Sequence, residues 1–453
     1  MSKLFDLNIE NVLEHWGSED AVREIIANAL DEQVLSRTED IEIYGDHDEW
    51  HIRDYGRGIQ YSHFTQKEND EKLSSPNLIG KFGVGLKDAL AVFHRRNVKV
   101  TIDSRYAHVT LRMANKSGFN VETLHAVFED PIDPLMKGTK VTLRGISEET
   151  METAKAMFLK FNSPPLLERT KYGEVYKSER DEAVVYINGV KVAEEPNFLF
   201  TYNITNINAK IKRALNRERS NVGRNAYTDT VKNILKRCET EEVLNSLMDD
   251  LQNINRGTNR DESGWVDVAS YAAETLDKTG KAVFMTPEQR STMGNEQVEI
   301  LNQSGKRLVM VNDRVFDKVR DYVTTYDHVF KDYTTSFQYQ YVDVNSLSAS
   351  EQVIFLAKEY VIDFLRRHNY STNVPVRISE TIRVDKHGET CNGVYDESEG
   401  VIIIRRSVLR SKEEFLGVLT HEFIHYAKGH DDLTREFEND LTDVIGKLLA
   451  EVV

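Results

Sequence analysis

Apolar and polar residues recur along this chain with two different periods, and the change-overs mark its elements. Residues 19–34 place apolar side chains at helical spacing, with Ile25, Ile26 and Leu30 among them. Two runs of period two follow, IEIYGD and EWHIRDYG, joined by a polar turn, and these read as strands. Residues 60–79 are polar and read as a mobile loop. The glycine-rich turn GKFGVGLKDAL opens another helix. VKVTIDS, HVTLRMAN, NVETLHAVF and TKVTLRGI alternate and are rich in β-branched residues, so four more strands are expected. SEETMETAKAMFLKF is a helix with a loose capping box at Ser147 and Glu149 or Thr150.

The pattern shifts after about residue 195. Residues 208–258 look helical and strongly charged. KAVFMT and KRLVMVND look like short buried strands separated by a helix. The aromatic stretch DYTTSFQYQYVDVNS then precedes a long helix expected at 349–368. The expected fold class is α/β (α+β) in four parts. These are an α/β sandwich over 1–195, a helical basic connector over 196–260, a small α/β unit over 261–340, and an α+β domain over 345–453.

Composition narrows the classes. The 453 residues carry a formal charge of -16, which opposes broad nonspecific nucleic-acid binding. One run runs against that balance: Lys210 to Arg224 holds six Lys or Arg and only Glu218 as an acid. It reads first as a solvated helix face and second as a nucleic-acid contact. The two cysteines, Cys238 and Cys391, suggest neither a disulfide framework nor a thiolate metal site. The N-terminal segment has no apolar core of signal-peptide length, and no run approaches 18 apolar residues. A soluble cytoplasmic protein without a membrane partner is therefore expected.

Chemistry is suggested at both ends. Glu24, Asn28 and Asp31 fall at i, i+4 and i+7, so a helix puts them on one face. An amide oxygen suits Mg²⁺, and a carboxylate one turn away can activate water. Asp54, Gly56 and Gly58 follow a strand, where an aspartate can accept a proton from an adenine amino group and glycines let backbone approach the base. Gly80, Gly83, Gly85 and Lys87 open a helix whose amides suit phosphate oxygens. Gly138 and Thr139 lead into a strand.

These four boxes, in this order over about residues 10–145, resemble the GHKL ATPases: gyrase-type topoisomerases, MutL-type repair proteins, heat-shock-90 chaperones, histidine kinases and the MORC group. The resemblance implies a Bergerat fold binding ATP and Mg²⁺, with a flexible lid at about 59–80. It maps Glu24 to the general base of hydrolysis, Asn28 to the Mg²⁺ ligand, Asp54 to the adenine contact, the glycines to the nucleotide loops and Thr139 to the last box. Related ATPases reach back to the γ-phosphate with a cation from the next domain, for which Arg217, Arg219 and Arg224 are equal candidates. They often pair two protomers when ATP binds, so an ATP-dependent homodimer is expected.

At the other end, residues 421–425 read His-Glu-Phe-Ile-His. On a helix the imidazoles of His421 and His425 lie one turn apart and can share a zinc ion, with Glu422 beside them as the base. Ser411 and Glu414 cap this helix and Gly429 stops it. The strand Gly400–Ile404 just upstream suits an extended substrate paired by β-addition. The candidates for a third ligand are His430, Asp431, Asp432, Glu436 and Glu438. Glu438 is chosen because it falls within the apolar arc of the last helix, between Ile445 and Leu449. The segment then resembles a gluzincin-type metallopeptidase. The metzincin pattern fits less well, since the glycine comes one place late and no third histidine stands at the expected offset. Tyr395 and Tyr426 are guesses for an oxyanion donor.

The leading expectation is thus an ATPase joined to a zinc peptidase acting on a protein or peptide, with proteolysis controlled by ATP-driven conformational change. The alternative is an ATP-gated clamp or scaffold on nucleic acid, with a structural or regulatory zinc domain. A stress or phage-defence role is a third idea.

Overall fold

The computed structural model describes residues 3–7, 13–65, 78–79, 85–116, 120–178, 182–215, 222–253, 260–384 and 390–452. The chain divides into two compact units, Met1–Thr275 and Leu276–Val453. The mixture of helices with antiparallel and mixed sheets is the expected α/β class. Among the described residues no helix is long and apolar enough to cross a membrane.

The first unit begins with a seven-stranded antiparallel sheet. Its strands are β1 (Lys3–Asp6), β2 (Glu42–Asp46), β3 (Glu49–Arg53), β4 (Lys99–Ser104), β5 (His108–Asn115), β6 (Glu122–Glu129) and β7 (Thr139–Arg144), in the order β1-β6-β5-β4-β7-β3-β2. The alternation read from the sequence is real: β4 buries Val100 and Ile102 and turns the residues between them outward. Helices α1 (Ser18–Ser36), α2 (Gly85–Arg95) and α3 (Glu148–Ala156) bury their apolar sides in the same core as the sheet. At its start α1 is closed by Asp20, whose carboxylate accepts the Gly17 N–H at 3.0 Å. The Ser147 hydroxyl caps α3 by accepting from Thr150 N–H at 3.1 Å, so of the two residues considered there Thr150 is the partner. Of the expected loop at 60–79, Tyr61–Thr65 is a one-turn helix and 66–77 lie outside the described residues.

A second sheet follows: β8 (Leu166–Arg169), β9 (Gly173–Lys177), β10 (Ala183–Ile187), β11 (Val190–Glu195) and β12 (Phe200–Ile204), ordered β11-β10-β12-β9-β8. This corrects the expected boundary at 195/196. β12 pairs with both β9 and β10, so the sheet closes across that point and belongs with the segment after it. Helices α4 (Thr228–Leu235) and α5 (Glu241–Leu251) have buried apolar sides in this region, so the expected connector is part of a packed domain. Helix α6 (Val266–Asp277) carries the chain to the second unit, so residues 261–275 belong to the first unit rather than to the small α/β region.

In the second unit, the strands expected at KAVFMT and KRLVMVND are present as β13 (Ala282–Met285) and β14 (Arg307–Met310), and they pair in parallel. The C-terminal sheet contains β15 (Tyr341–Val342), β16 (Val376–Ser379), β17 (Gly393–Asp396) and β18 (Val401–Arg405), in the order β15-β16-β18-β17. The helix expected at 349–368 is two, α7 (Ala349–Leu356) and α8 (Lys358–Arg367), broken at Ala357. Helices α9 (Lys412–Lys428) and α10 (Arg435–Val452) complete the unit. Phe415, Leu419, Phe423 and Ile424 on α9 bury against Ile402 and Ile404 of β18 and against Phe437 and Val444 of α10.

Candidate functional sites

The first site forms around α1, which buries the acids Glu24 and Asp31 among apolar residues that include Ala21 and Ile25. Glu24 is buried, and Arg23 donates to its Oε1 through Nε at 3.3 Å and Nη2 at 3.2 Å. A buried carboxylate needs such a partner. Its other oxygen lies against Gly85, the first residue of α2: a Cβ on Gly85 would stand 2.2 Å from Glu24 Oε2. Asn28 is half-buried one turn on. Asp31 is buried, and its Oδ1 accepts the Ile79 N–H at 2.6 Å. Three expected residues thus share one face, and two of them touch the segments that flank the glycine-rich turn. Gly80 and Gly83 lie outside the described residues. Lys87 Nζ sits 5.2 Å from the centre of the Phe5 ring.

Asp54, just after β3, is buried, and its Oδ1 accepts from Gly56 N–H at 2.9 Å and Thr139 N–H at 3.3 Å. Burial pushes its carboxyl up to about 6, and the nearby Glu32 charge adds to the rise. Gly138 has φ +75, and a Cβ there would fall 1.9 Å from the Asp54 carbonyl oxygen. Gly58 has φ +83 and packs on Gly138. The Thr139 hydroxyl accepts from Ile59 N–H at 3.1 Å. The structure therefore brings the second and fourth boxes into contact.

Glu32 was missed by sequence reasoning. It accepts from the backbone N–H and from Nε of Arg57, both at 2.9 Å, and so ties α1 to the 54–58 turn. Burial raises its carboxyl, but the Arg57 bonds outweigh this and hold it at about 2. The only signal was one more acid next to Asp31. In the basic run, Arg217 and Arg219 lie outside the described residues. Arg224 pairs with Asp261 and Glu195 and lies over Phe198, and Lys210 pairs with Asp229. Arg224 is thus held by its own domain.

The second site lies at the C-terminal end of α9. Ser411 caps this helix as expected, accepting from Glu414 N–H at 3.2 Å. Gly429 ends it with φ +68, its N–H donating to His425 O at 2.9 Å. His421 Nε2 and His425 Nε2 are 3.1 Å apart, and both approach Asp432 Oδ1, at 3.0 Å and 3.1 Å. This triangle is the one group of three metal-capable residues among those described.

The third residue of the triangle is Asp432, which corrects the choice of Glu438. The buried side of α10 is centred on Phe437, Leu441 and Val444. Ile445 and Leu449, taken to frame Glu438 within an apolar arc, are 56% and 58% exposed, and Glu438 is exposed with them. What α10 supplies instead is Phe437. Its ring stacks on His425 at 4.2 Å and meets His421 edge-on at 4.7 Å, fixing both imidazole planes.

The donor set fits zinc. Donors 2.0–2.1 Å from a tetrahedral ion stand roughly 3.3 Å from each other, close to the edges of this triangle. Nδ1 of His425 lies 2.7 Å from the His430 carbonyl, which accepts its proton and leaves the Nε2 lone pair facing the other donors. Burial and the neighbouring His425 hold the His421 pKa below its usual value, which keeps that ring neutral and able to ligate.

Glu422 is buried, and its Oε2 accepts the Tyr395 N–H at 2.9 Å. Burial pushes its carboxyl up to about 8, and the Asp432 charge pushes the same way; a dication nearby would oppose both. β18, expected to receive substrate, lies between β16 and β17 and has no free side. The edge strand beside α9 is β17, β15 being the edge on the far side. Arg405 N–H donates to Asn392 O, so by antiparallel alternation the backbone groups of Gly393 and Tyr395 turn away from β18. Gly393 lies against α9, where a Cβ would stand 2.6 Å from Val418 and 2.9 Å from Glu422. Tyr426 is no free oxyanion donor, because its hydroxyl donates to Asn373 O at 3.1 Å.

The family model described as the Mycoplasma pneumoniae MPN635 N-terminal domain matches residues 149–241. That span takes in α3, the whole second sheet and α4. An uncharacterized protein of Mycoplasma pneumoniae (strain ATCC 29342 / M129) is 40% identical over 241 residues, covering 52% of this chain and 97% of the relative. A second uncharacterized protein of that organism is 24% identical over 358 residues, covering 70% of this chain and 97% of the relative.

Proposed function

We propose that this chain, which belongs to the same family as the 40% identical Mycoplasma pneumoniae protein, is an ATP-controlled, zinc-dependent peptidase. The reading is carried by one observation: two imidazole nitrogens and a carboxylate oxygen meet within 3.1 Å, with a buried glutamate next to the first histidine in the chain. That donor set with an adjacent base is the constellation of zinc hydrolysis. It supports a zincin-like C-terminal domain. A zinc ion held there would supply Lewis acidity. Glu422 accepts a proton from the attacking water and delivers it to the leaving amine. The outward carbonyls of Gly393 and Tyr395 and the Gly393 amide pair with an extended peptide, the Tyr395 amide being held by Glu422, which makes a protein or peptide the substrate.

For the N-terminal module, the buried Glu24, Asp31 and Asp54 and the close approach at Gly138 support the GHKL reading, a Bergerat fold with ATP and Mg²⁺ as cofactors. Glu24 orients and deprotonates water, Asn28 holds Mg²⁺, and Asp54 accepts from adenine. ATP-dependent pairing of two protomers belongs to the same proposal, as does a cytoplasmic setting. The clamp-on-nucleic-acid reading gains no support from Lys210 or Arg224, each of which has an acidic partner. The test is proteolysis and ATP turnover by wild type, Glu422→Gln and Glu24→Ala. Glu422→Gln should lose cleavage alone. Glu24→Ala should lose turnover and change cleavage, whereas cleavage indifferent to ATP and to Glu24 would remove the coupling.

A further inference from the structure

The turn that carries Asp432 is held from outside the ligand set. It runs from Gly429 to Thr434 and contains two left-handed residues, Gly429 at φ +68 and Leu433 at φ +61. Left-handed backbone costs a leucine about 1–2 kcal/mol, and Leu433 recovers nothing by burial, being 86% exposed. Something else must fix the turn. Two contacts do. The His430 carbonyl accepts from His425 Nδ1–H at 2.7 Å, and the His430 ring donates from Nδ1 to Asp440 Oδ2, also at 2.7 Å. Asp440 is on the second turn of α10, on the side that faces the turn and not the one bearing Glu438, and it is mostly shielded from solvent. One carboxylate thus pins His430, whose carbonyl sets the tautomer of one ligand and whose chain position, two residues before Asp432, sets the other.

We propose that Asp440 and His430 form a positioning pair for the metal centre: Asp440 fixes His430, and His430 fixes both the ring of His425 and the approach of Asp432. The inference rests on the zinc reading of the site. It explains why α10 is needed without offering a ligand. Partners of this kind typically change metal affinity by about 10–100-fold when removed.

The experiment is chelator competition for Zn²⁺ on the full chain, with Co²⁺ absorption as a second readout that does not depend on activity. Wild type should bind one Zn²⁺. Asp440→Ala and His430→Ala should each weaken it about 10–100-fold and shift the Co²⁺ bands, and the double variant should be no weaker than either. Asp440→Asn, whose amide oxygen still accepts from His430, should restore affinity to within a few-fold. Asp443→Ala, on the same helix but bonded to Tyr370 and Lys447, should leave both readouts unchanged. A wild type that binds no Zn²⁺ overturns the zinc reading and this pair with it. Tight binding by wild type, Asp440→Ala and His430→Ala alike, with identical Co²⁺ spectra, overturns the pair alone.

Discussion

Asp54→Asn separates the stability of the buried Asp54 site from its proposed use in binding ATP. The Asp54 carboxyl is raised from 3.8 to about 6, mainly by burial. Two units correspond to about 3 kcal/mol. The sign follows from proton binding. Between about pH 4 and pH 6 the folded protein holds a proton that the unfolded chain has released. Stability from this group is therefore full below about pH 4 and lost as pH rises through 6. Above that pH the buried charge weakens the empty protein. Asparagine stays neutral and keeps an oxygen for the Gly56 and Thr139 amides. At pH 8 the variant should be more stable by up to about 3 kcal/mol, or on the order of 6 °C in Tm, with the advantage gone by pH 4. The same change should abolish ATP binding at every pH. Wild-type affinity should fall as the carboxylate protonates, by about tenfold between pH 7 and pH 5. Melting curves and nucleotide titration over pH 4–8 read both effects. Equal melting of the two proteins at pH 8, or ATP binding retained by the variant, would refute the reasoning.

Gly138→Ala should destabilise the first unit by at least about 2 kcal/mol in denaturant titration, since φ is +75 and the new methyl would meet the Asp54 carbonyl. Gly85→Ala should displace Glu24 Oε2 and lower ATP turnover more than ATP binding, as kcat and Kd measured separately would show. Glu262 is fully buried, accepts from Leu199 N–H, Phe200 N–H and the Tyr202 hydroxyl, and is raised to about 7 by burial. Its contribution, about 3 kcal/mol, is present below pH 4.5 and lost as pH rises through 7. Glu262→Gln should remove that slope from stability measured against pH.

Much of this was legible because local rules and function agree. Alternation gave six of the seven strands of the first sheet, missing the edge strand β1, and an acid, an amide and an acid at helical spacing on an apolar face marked α1. Ser411 and Gly429 bounded α9, since caps are local chemistry. What failed was non-local. Sheet order does not follow chain order, so β18, nearer in sequence to the histidines, is interior while β17 is an edge. The boundary at 195 failed for the same reason, because β12 returns to pair with β9 and β10. Glu438 was chosen on the assumption that apolar residues of the last helix are buried, and Ile445, Leu448 and Leu449 are not. The glycine one place late was held only against the metzincin pattern and did not enter the choice between Asp432 and Glu438. The extra residue falls within α9, before Gly429, and Leu433 is left-handed just after Asp432, a conformation that side-chain pattern does not announce.

The central claim is that His421, His425 and Asp432 hold one zinc ion. Metal analysis of the purified chain and its single-site variants after dialysis against a weak chelator tests it most directly. One zinc per chain is predicted for wild type and for Glu438→Ala, and far less for Asp432→Ala and His425→Ala. Zinc absent from wild type, or kept by Asp432→Ala and lost by Glu438→Ala, would contradict the account.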